Sequence, residues 1–231
     1  MMFSISDAWK ETYPGAFVGV LALRGVANPK HLAALDAVKA ALEADLRTRY
    51  AGKQELRAQE PLPAYKAYYR RFKKTYHVQM QLESVALKGK PIPSVAALVE
   101  AMFVAELKNL LLTAGHDLDA VQGPVKLDVA TGDEKYVRIN GQDQVLKTGD
   151  MFISDAEGIL SSVIYGPARH ASISPATRSA LFTVYAPPGI EEGAVTSHLR
   201  DIEAYAWLIA PGAATELFLV EGAPAQAETD A

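Results

Sequence analysis

The chain has 231 residues, 49% hydrophobic and 22% charged, which suits a soluble globular protein with room for a sizeable core. Its formal charge of −4 provides no overall attraction to nucleic acid, so any such binding has to be local. It has no cysteine, which excludes a disulfide framework, a thiolate nucleophile and a Cys-ligated zinc.

The N-terminal MMFSISDAWKE has no basic stretch followed by an apolar run, so no signal peptide is read and a cytoplasmic protein is expected. Ala16 to Leu23 is short, apolar and bounded by Pro14-Gly15 and Arg24-Gly25, the pattern of a strand. Asn28-Pro29 then predicts a helix start, and Leu32, Leu35, Val38, Leu42 and Leu46 form one stripe of a helix reaching about Tyr50. Ala51 to Glu60 reads as a polar linker. The segment from Leu62 to about Thr75 reads as a helix, part of a stretch from Pro61 to Leu82 that holds Lys66, Arg70, Arg71, Lys73 and Lys74 without one acid. Tyr65, Tyr68, Tyr69, Phe72 and Tyr76 interleave with these cations. Such a segment either binds tRNA, its rings stacking on bases, or is an amphipathic helix with its rings packed inward.

Ser94 is placed to cap a further helix, which Gly115 would end. The run from Val95 to Leu112 is apolar enough to be considered a membrane span, but Glu100, Glu106, Lys108 and Asn109 make it a buried core helix, and no membrane partner is expected. On that helix Glu106, Asn109 and Thr113 share one face, where they either satisfy nearby backbone or line a pocket. His116, Asp117 and Asp119 follow in an expected turn. His116 beside carboxylates has the makings of a general base, although Asp side chains also bond local amides in solvated turns. No metal site and no cofactor motif is read. From Val125 onward short strands alternate with turns, with Asn140-Gly141 the strongest hairpin signal. The loop Tyr165-Gly166-Pro167-Ala168-Arg169-His170 allows close backbone approach to a ligand. In it Arg169 can grip a carboxylate or phosphate, and His170 is a candidate acid or base. A last helix spans about Ala194 to Ile209, and Glu221 to Ala231 reads as a disordered tail. Helices first and strands later predict an α+β fold.

The order of Pro93-Ser94 to Glu100, Gly115 to Asp119, Arg138 to Leu146, Ser154-Asp155-Ala156-Glu157-Gly158 and Ser174-Pro175-Ala176-Thr177 resembles the B3/4 domain of the phenylalanyl-tRNA synthetase β subunit. The resemblance covers about Tyr65 to Pro187. It implies a single domain over residues 1–220, with a core helix on a mostly antiparallel sheet and helices flanking. The function it implies is trans-acting hydrolysis of mischarged aminoacyl-tRNA, with the aminoacylated 3′ end of tRNA as partner. The alternative is a non-catalytic module binding a free amino acid or similar small molecule. On this resemblance Glu106, Asn109, Asp117, Asp119, Tyr165 and Gly166 would line the substrate site, and His116, Arg169 and His170 would carry the chemistry. The family's His falls on Asp119, and its Thr-Asn pair falls on Met102 and Phe103. The oligomeric state is not readable from the sequence.

Overall fold

The computed structural model describes residues 1–225. β1 (Phe3–Ile5) and α1 (Asp7–Thr12) precede the apolar β2 (Phe17–Arg24). Five helices follow: α2 (Ala33–Arg49), α3 (Lys53–Arg57), α4 (Leu62–Arg71), α5 (His77–Ala86) and α6 (Ala97–Asn109). The chain then turns to strands: β3 (Thr113–Asp117), β4 (Val125–Val129), β5 (Lys135–Val137), β6 (Asp143–Val145), β7 (Met151–Ser154), β8 (Ile159–Ser162), β9 (Gly166–Pro167) and β10 (Ser179–Ala186). It closes with α7 (Glu192–Ile209) and β11 (Ala214–Gly222).

The strands form an antiparallel sheet in the order β11-β2-β10-β3, a second in the order β1-β4-β7-β8-β9 that is antiparallel except for the β1–β4 pair, and the small β5–β6 hairpin. This is the α+β architecture expected, with α6 packed between β3 and helices α2, α5 and α7. Both edges of β2 are hydrogen-bonded and its residues from Val18 to Leu23 are buried, which suits its continuous apolar run. Gly19 lets α7 lie close on this sheet: a Cβ there would sit 2.6 Å from Val195 Cγ1.

Several boundaries differ from the sequence reading. Asn28 does not cap α2, which starts at Ala33 after Leu32. Its buried carboxamide instead accepts from Leu98 N (3.0 Å) and donates to Ser174 O (2.9 Å), capping α6 from a distance. Ser94 accepts from Lys39 Nζ (2.8 Å) rather than from helix amides. Lys39 also pairs with Glu100 at 2.5 Å, a buried ion pair joining α2 to α6. The expected linker holds α3, and α5 and β11 have no counterpart in the reading. α6 stops at Asn109, with Leu110 in the left-handed region at φ 60, five residues short of Gly115. The expected turn around His116 is therefore strand β3, paired with β10. The tail expected from Glu221 is overturned at its start, because Glu221 and Gly222 belong to β11; residues 226–231 lie outside the described part.

The tyrosines of the basic segment point inward. Tyr65 Oη donates to Tyr185 O (2.7 Å) and accepts from Leu112 N (2.9 Å). Tyr68 Oη donates to Asp150 Oδ1 (2.7 Å) and accepts from Met151 N (2.7 Å). Tyr69 Oη donates to Val163 O (2.9 Å), and Tyr76 Oη donates to Leu110 O (3.1 Å). Tyr65 and Tyr76 stack with centroids 4.2 Å apart. Removing one hydroxyl strands buried backbone groups, which costs about 1–3 kcal/mol for each. Tyr65→Phe should therefore lower the unfolding free energy by about 2–4 kcal/mol in urea titration, whereas Lys66→Gln on the outer face should stay within about 0.5 kcal/mol. Equal effects from the two would show that the hydroxyl bonds carry no special weight.

Candidate functional site

A cavity of about 260 Å³ opens beside α6. One helix face, Val99, Met102, Phe103 and Glu106, spaced i, i+3, i+4 and i+7, forms its wall. Thr113, Ala114 and Gly115 of β3 close the back, and Ser162, Val163, Gly166 and Pro167 stand opposite. His77 of α5, Tyr185 of β10, Ile139, Leu112 and the Ser172-Ile173 pair complete it. The lining is mainly apolar. Gly115 keeps the space open: a Cβ there would lie 3.0 Å from Ile173 Cδ1 and 3.3 Å from Met102 Sδ. Gly166 adopts φ 79, the left-handed region that favours glycine, where the chain turns into β9.

Few polar groups reach this space, and each is held. Glu106 is buried, and one of its oxygens accepts from Thr113 N at 2.8 Å. Burial raises its pKa to about 8, against the partial relief of that hydrogen bond, so it is mostly a neutral carboxylic acid at pH 7. Thr113 Oγ1 lies 2.6 Å from His198 Nε2. His77 Nδ1 lies 3.3 Å from Tyr69 Oη, and burial lowers the imidazole's pKa, keeping it neutral at neutral pH. It is the one imidazole lining the cavity among the described residues, and nothing in its local sequence marks it out. Tyr185 Oη lies 2.7 Å from Ser161 Oγ, which lies 3.0 Å from His116 Nε2.

The structure brings some sequence-predicted residues together and separates others. Glu106 and Gly166 line the cavity. His116 sits behind its wall, fully buried; desolvation first and the nearby His170 second push its pKa down to about 4. Asp117 accepts from Thr177 Oγ1 (2.7 Å) and from Asp119 N (3.1 Å), and exposed Asp119 pairs with Arg24 at 2.9 Å. These two carboxylates tie β3 and the turn after it to Thr177 and Arg24 rather than holding an imidazole. Asn109 faces α7, donating to Asp201 Oδ2 (2.8 Å), and lines a different concavity with Glu60 and Gly189. Arg169 and His170 border a separate hollow with Lys135, Tyr136 and Glu157. These groups do not share one concavity: Glu106 with Gly166, Asn109, and Arg169 with His170 line three different ones, and His116, Asp117 and Asp119 line none of the three. Tyr165 stands just before Gly166, its ring 5.7 Å from Lys74 Nζ.

In the basic segment the rings are core, which removes the stacking platform, while Lys66, Arg70, Arg71, Lys73 and Lys74 are exposed. Arg71 turns toward Tyr13, donating to its Oη at 3.1 Å. Among the described residues no helix is long and apolar enough to cross a membrane, and no group of three or more His, Asp and Glu side chains gathers as a metal site would need.

The neutral carboxyls imply a pH dependence. Glu106 and Asp150, the latter raised to about 7 chiefly by burial, bind protons in the folded state that they release when unfolded. Stability contributed by these groups is present at low pH and falls as pH rises from the ordinary carboxyl range through the folded pKa. The stability difference between Glu106→Gln and wild type should therefore move in the variant's favour between about pH 5 and about pH 9, read from urea midpoints. A pH-independent difference would show that Glu106 is ionised in the folded state throughout.

No curated protein matches the sequence. A solved structure, an N-terminal fragment of the phenylalanyl-tRNA synthetase β subunit from Pyrococcus horikoshii, matches with a TM-score of 0.44 at 10% identity, over 89% of this chain and 48% of that one. The chain thus spans about half the length of that fragment. The model of the B3/4 domain matches residues 64–219, which takes in α4 through β10, α7 and most of β11, and so the chain belongs to the B3/4 domain family.

Proposed function

We propose that this B3/4 domain acts in trans on the aminoacylated 3′ end of tRNA, hydrolysing the ester of a wrongly attached amino acid. The observation that carries this reading is a small, mainly apolar cavity with one neutral imidazole and one neutral carboxylic acid in its wall. At about 260 Å³ it is below the roughly 300–1,000 Å³ of drug-sized clefts. It suits one amino-acid side chain, leaving the nucleotide outside.

His77 takes the proton-transfer role in this proposal, in place of the recessed His116 and of His170, which lines a separate hollow. A neutral imidazole accepts a proton from water as the water oxygen attacks the ester carbonyl. The proton then passes to the departing ribose oxygen, giving free amino acid and a tRNA with its hydroxyl restored. Glu106 in its acid form can donate and accept, so it selects side chains that carry a matching polar group over those that leave it unpaired.

Two observations favour the non-catalytic alternative. Met102 and Phe103, at the positions where the family's Thr-Asn pair falls, present apolar surface to the cavity. Asp119, where the family's His falls, is exposed and tied to Arg24. A deacylation screen over a panel of mischarged tRNAs decides between the two. On the substrate found, His77→Ala should slow hydrolysis by about 10²–10⁴, with His170→Ala unchanged. Gly115→Val, which fills the cavity, should abolish it. If no mischarged tRNA is cleaved, while a free amino acid binds to wild type and not to Gly115→Val, the chain is a binding module and the hydrolytic reading is wrong.

A further inference from the structure

Lys66, Arg70 and Lys74 recur at four-residue intervals, the first two one turn apart on α4 and the third just beyond its end. With Arg57, Thr75, Tyr76 and Gln79 they line a groove of about 230 Å³ that no acidic side chain lines. Arg57 is committed to Glu83, 2.8 Å away, but Lys66, Arg70 and Lys74 enter no ion pair among the described residues. Three like charges held around one concavity repel each other unless an anion sits among them. The helix that carries two of them is fixed from beneath by the hydroxyls of Tyr65, Tyr68 and Tyr69, so the charges are held by a rigid base.

Groove and cavity are lined from neighbouring positions of the chain. Tyr76 lines the groove and the next residue, His77, lines the cavity. Lys74 also reaches Tyr165, two residues after the cavity-lining Val163 and one before Gly166. Arg71 and Lys73 are not part of it: Arg71 is turned onto Tyr13, and Lys73 does not line the groove. A guanidinium between two ammonium groups suits a phosphate ester, which Arg can grip by two parallel hydrogen bonds while the lysines supply point charge.

We infer that this groove is a phosphate site. It holds a phosphate of the ligand whose acyl end occupies the cavity, and Lys66, Arg70 and Lys74 are its contacts. Assigning that phosphate to RNA rests on the editing reading above; the phosphate chemistry itself does not.

The test is binding, independent of hydrolysis. A labelled single-stranded RNA ending in CCA is titrated against wild type, against Lys66→Gln/Arg70→Gln/Lys74→Gln, and against an equal-charge control, Lys30→Gln/Lys73→Gln/Lys88→Gln. All six positions are exposed, so both variants should keep the wild-type melting temperature. The groove variant should lose affinity, and its slope of log K against log salt should flatten by about 2, from three contacts at roughly 0.7 each. The control should hold the wild-type slope. Inorganic phosphate and pyrophosphate are run as competitors and as sole ligands. Binding of these alone, lost in the groove variant and kept in the control, would assign the site to a small phosphorylated ligand and retain the phosphate site. Equal loss in both variants, or no binding of any of the three probes to wild type, would overturn it. Retained groove binding with no deacylation of any tRNA would leave the site standing and remove the editing reading.

Discussion

The hydrogen bonds from four inward tyrosine hydroxyls to main-chain and carboxyl groups hold the molecule's working parts in register. Tyr65 bridges the chain leaving α6 to β10, Tyr68 holds the start of β7, Tyr69 holds the residue after β8, and Tyr76 holds the turn at Leu110. Three of the groups so fixed, Leu112, Val163 and Tyr185, line the cavity. Each phenol has an apolar body that fills core and a polar tip that must find a partner. α4 therefore works as a template: its inner face sets the cavity walls, and its outer face carries the cations. Burial pushes the pKa of all four phenols up, so they remain neutral donors across the accessible pH range.

Local signals were readable where local chemistry decides the structure. Asp155 accepts from Glu157 N and Gly158 N, and Thr177 N bonds Ser174 O, so both turns are written in adjacent residues. Asn140-Gly141 joins β5 to β6, with Gly141 at φ 81. The stripe of α2 was legible from its leucines. What escaped is tertiary. Asn28-Pro29 has the form of a local cap, yet the carboxamide serves Leu98, seventy residues on. α6 ends on a left-handed leucine, for which no glycine gives warning, while Gly115 is needed for space beside Met102 and Ile173 rather than to end a helix.

The candidate site shows the same division. Glu106 stood out as an acid on an apolar helix, and Gly166 as a glycine in a loop, and both line the cavity. Thr113 meets Glu106 through a chain reversal rather than a helical stripe. His77 gave no signal, because its place comes from α5 packing against α6, and α5 itself follows a basic run that hid its start. His116 attracted attention through the acids beside it, but the alternation of β3 puts its side chain into the core and leaves Asp117 half-exposed. Reading the segment as a turn concealed that alternation.

β2 is paired on one edge by β10 and on the other by β11, so residues 17–24 meet partners from 179–186 and 214–222. A chain emerging from the ribosome at about 5–20 residues per second would hold this strand without either partner for roughly eight to thirty seconds. During that time Val18-Gly19-Val20-Leu21-Ala22-Leu23 is an uncharged, β-prone segment with both edges free, the kind that pairs with copies of itself. Pairings of such long range also slow folding once synthesis is complete. The strand at the centre of the finished sheet is thus the most exposed liability of the nascent chain. Yield on expression should be governed by how well β2 is shielded on the way to the fold, more than by the stability of the fold itself.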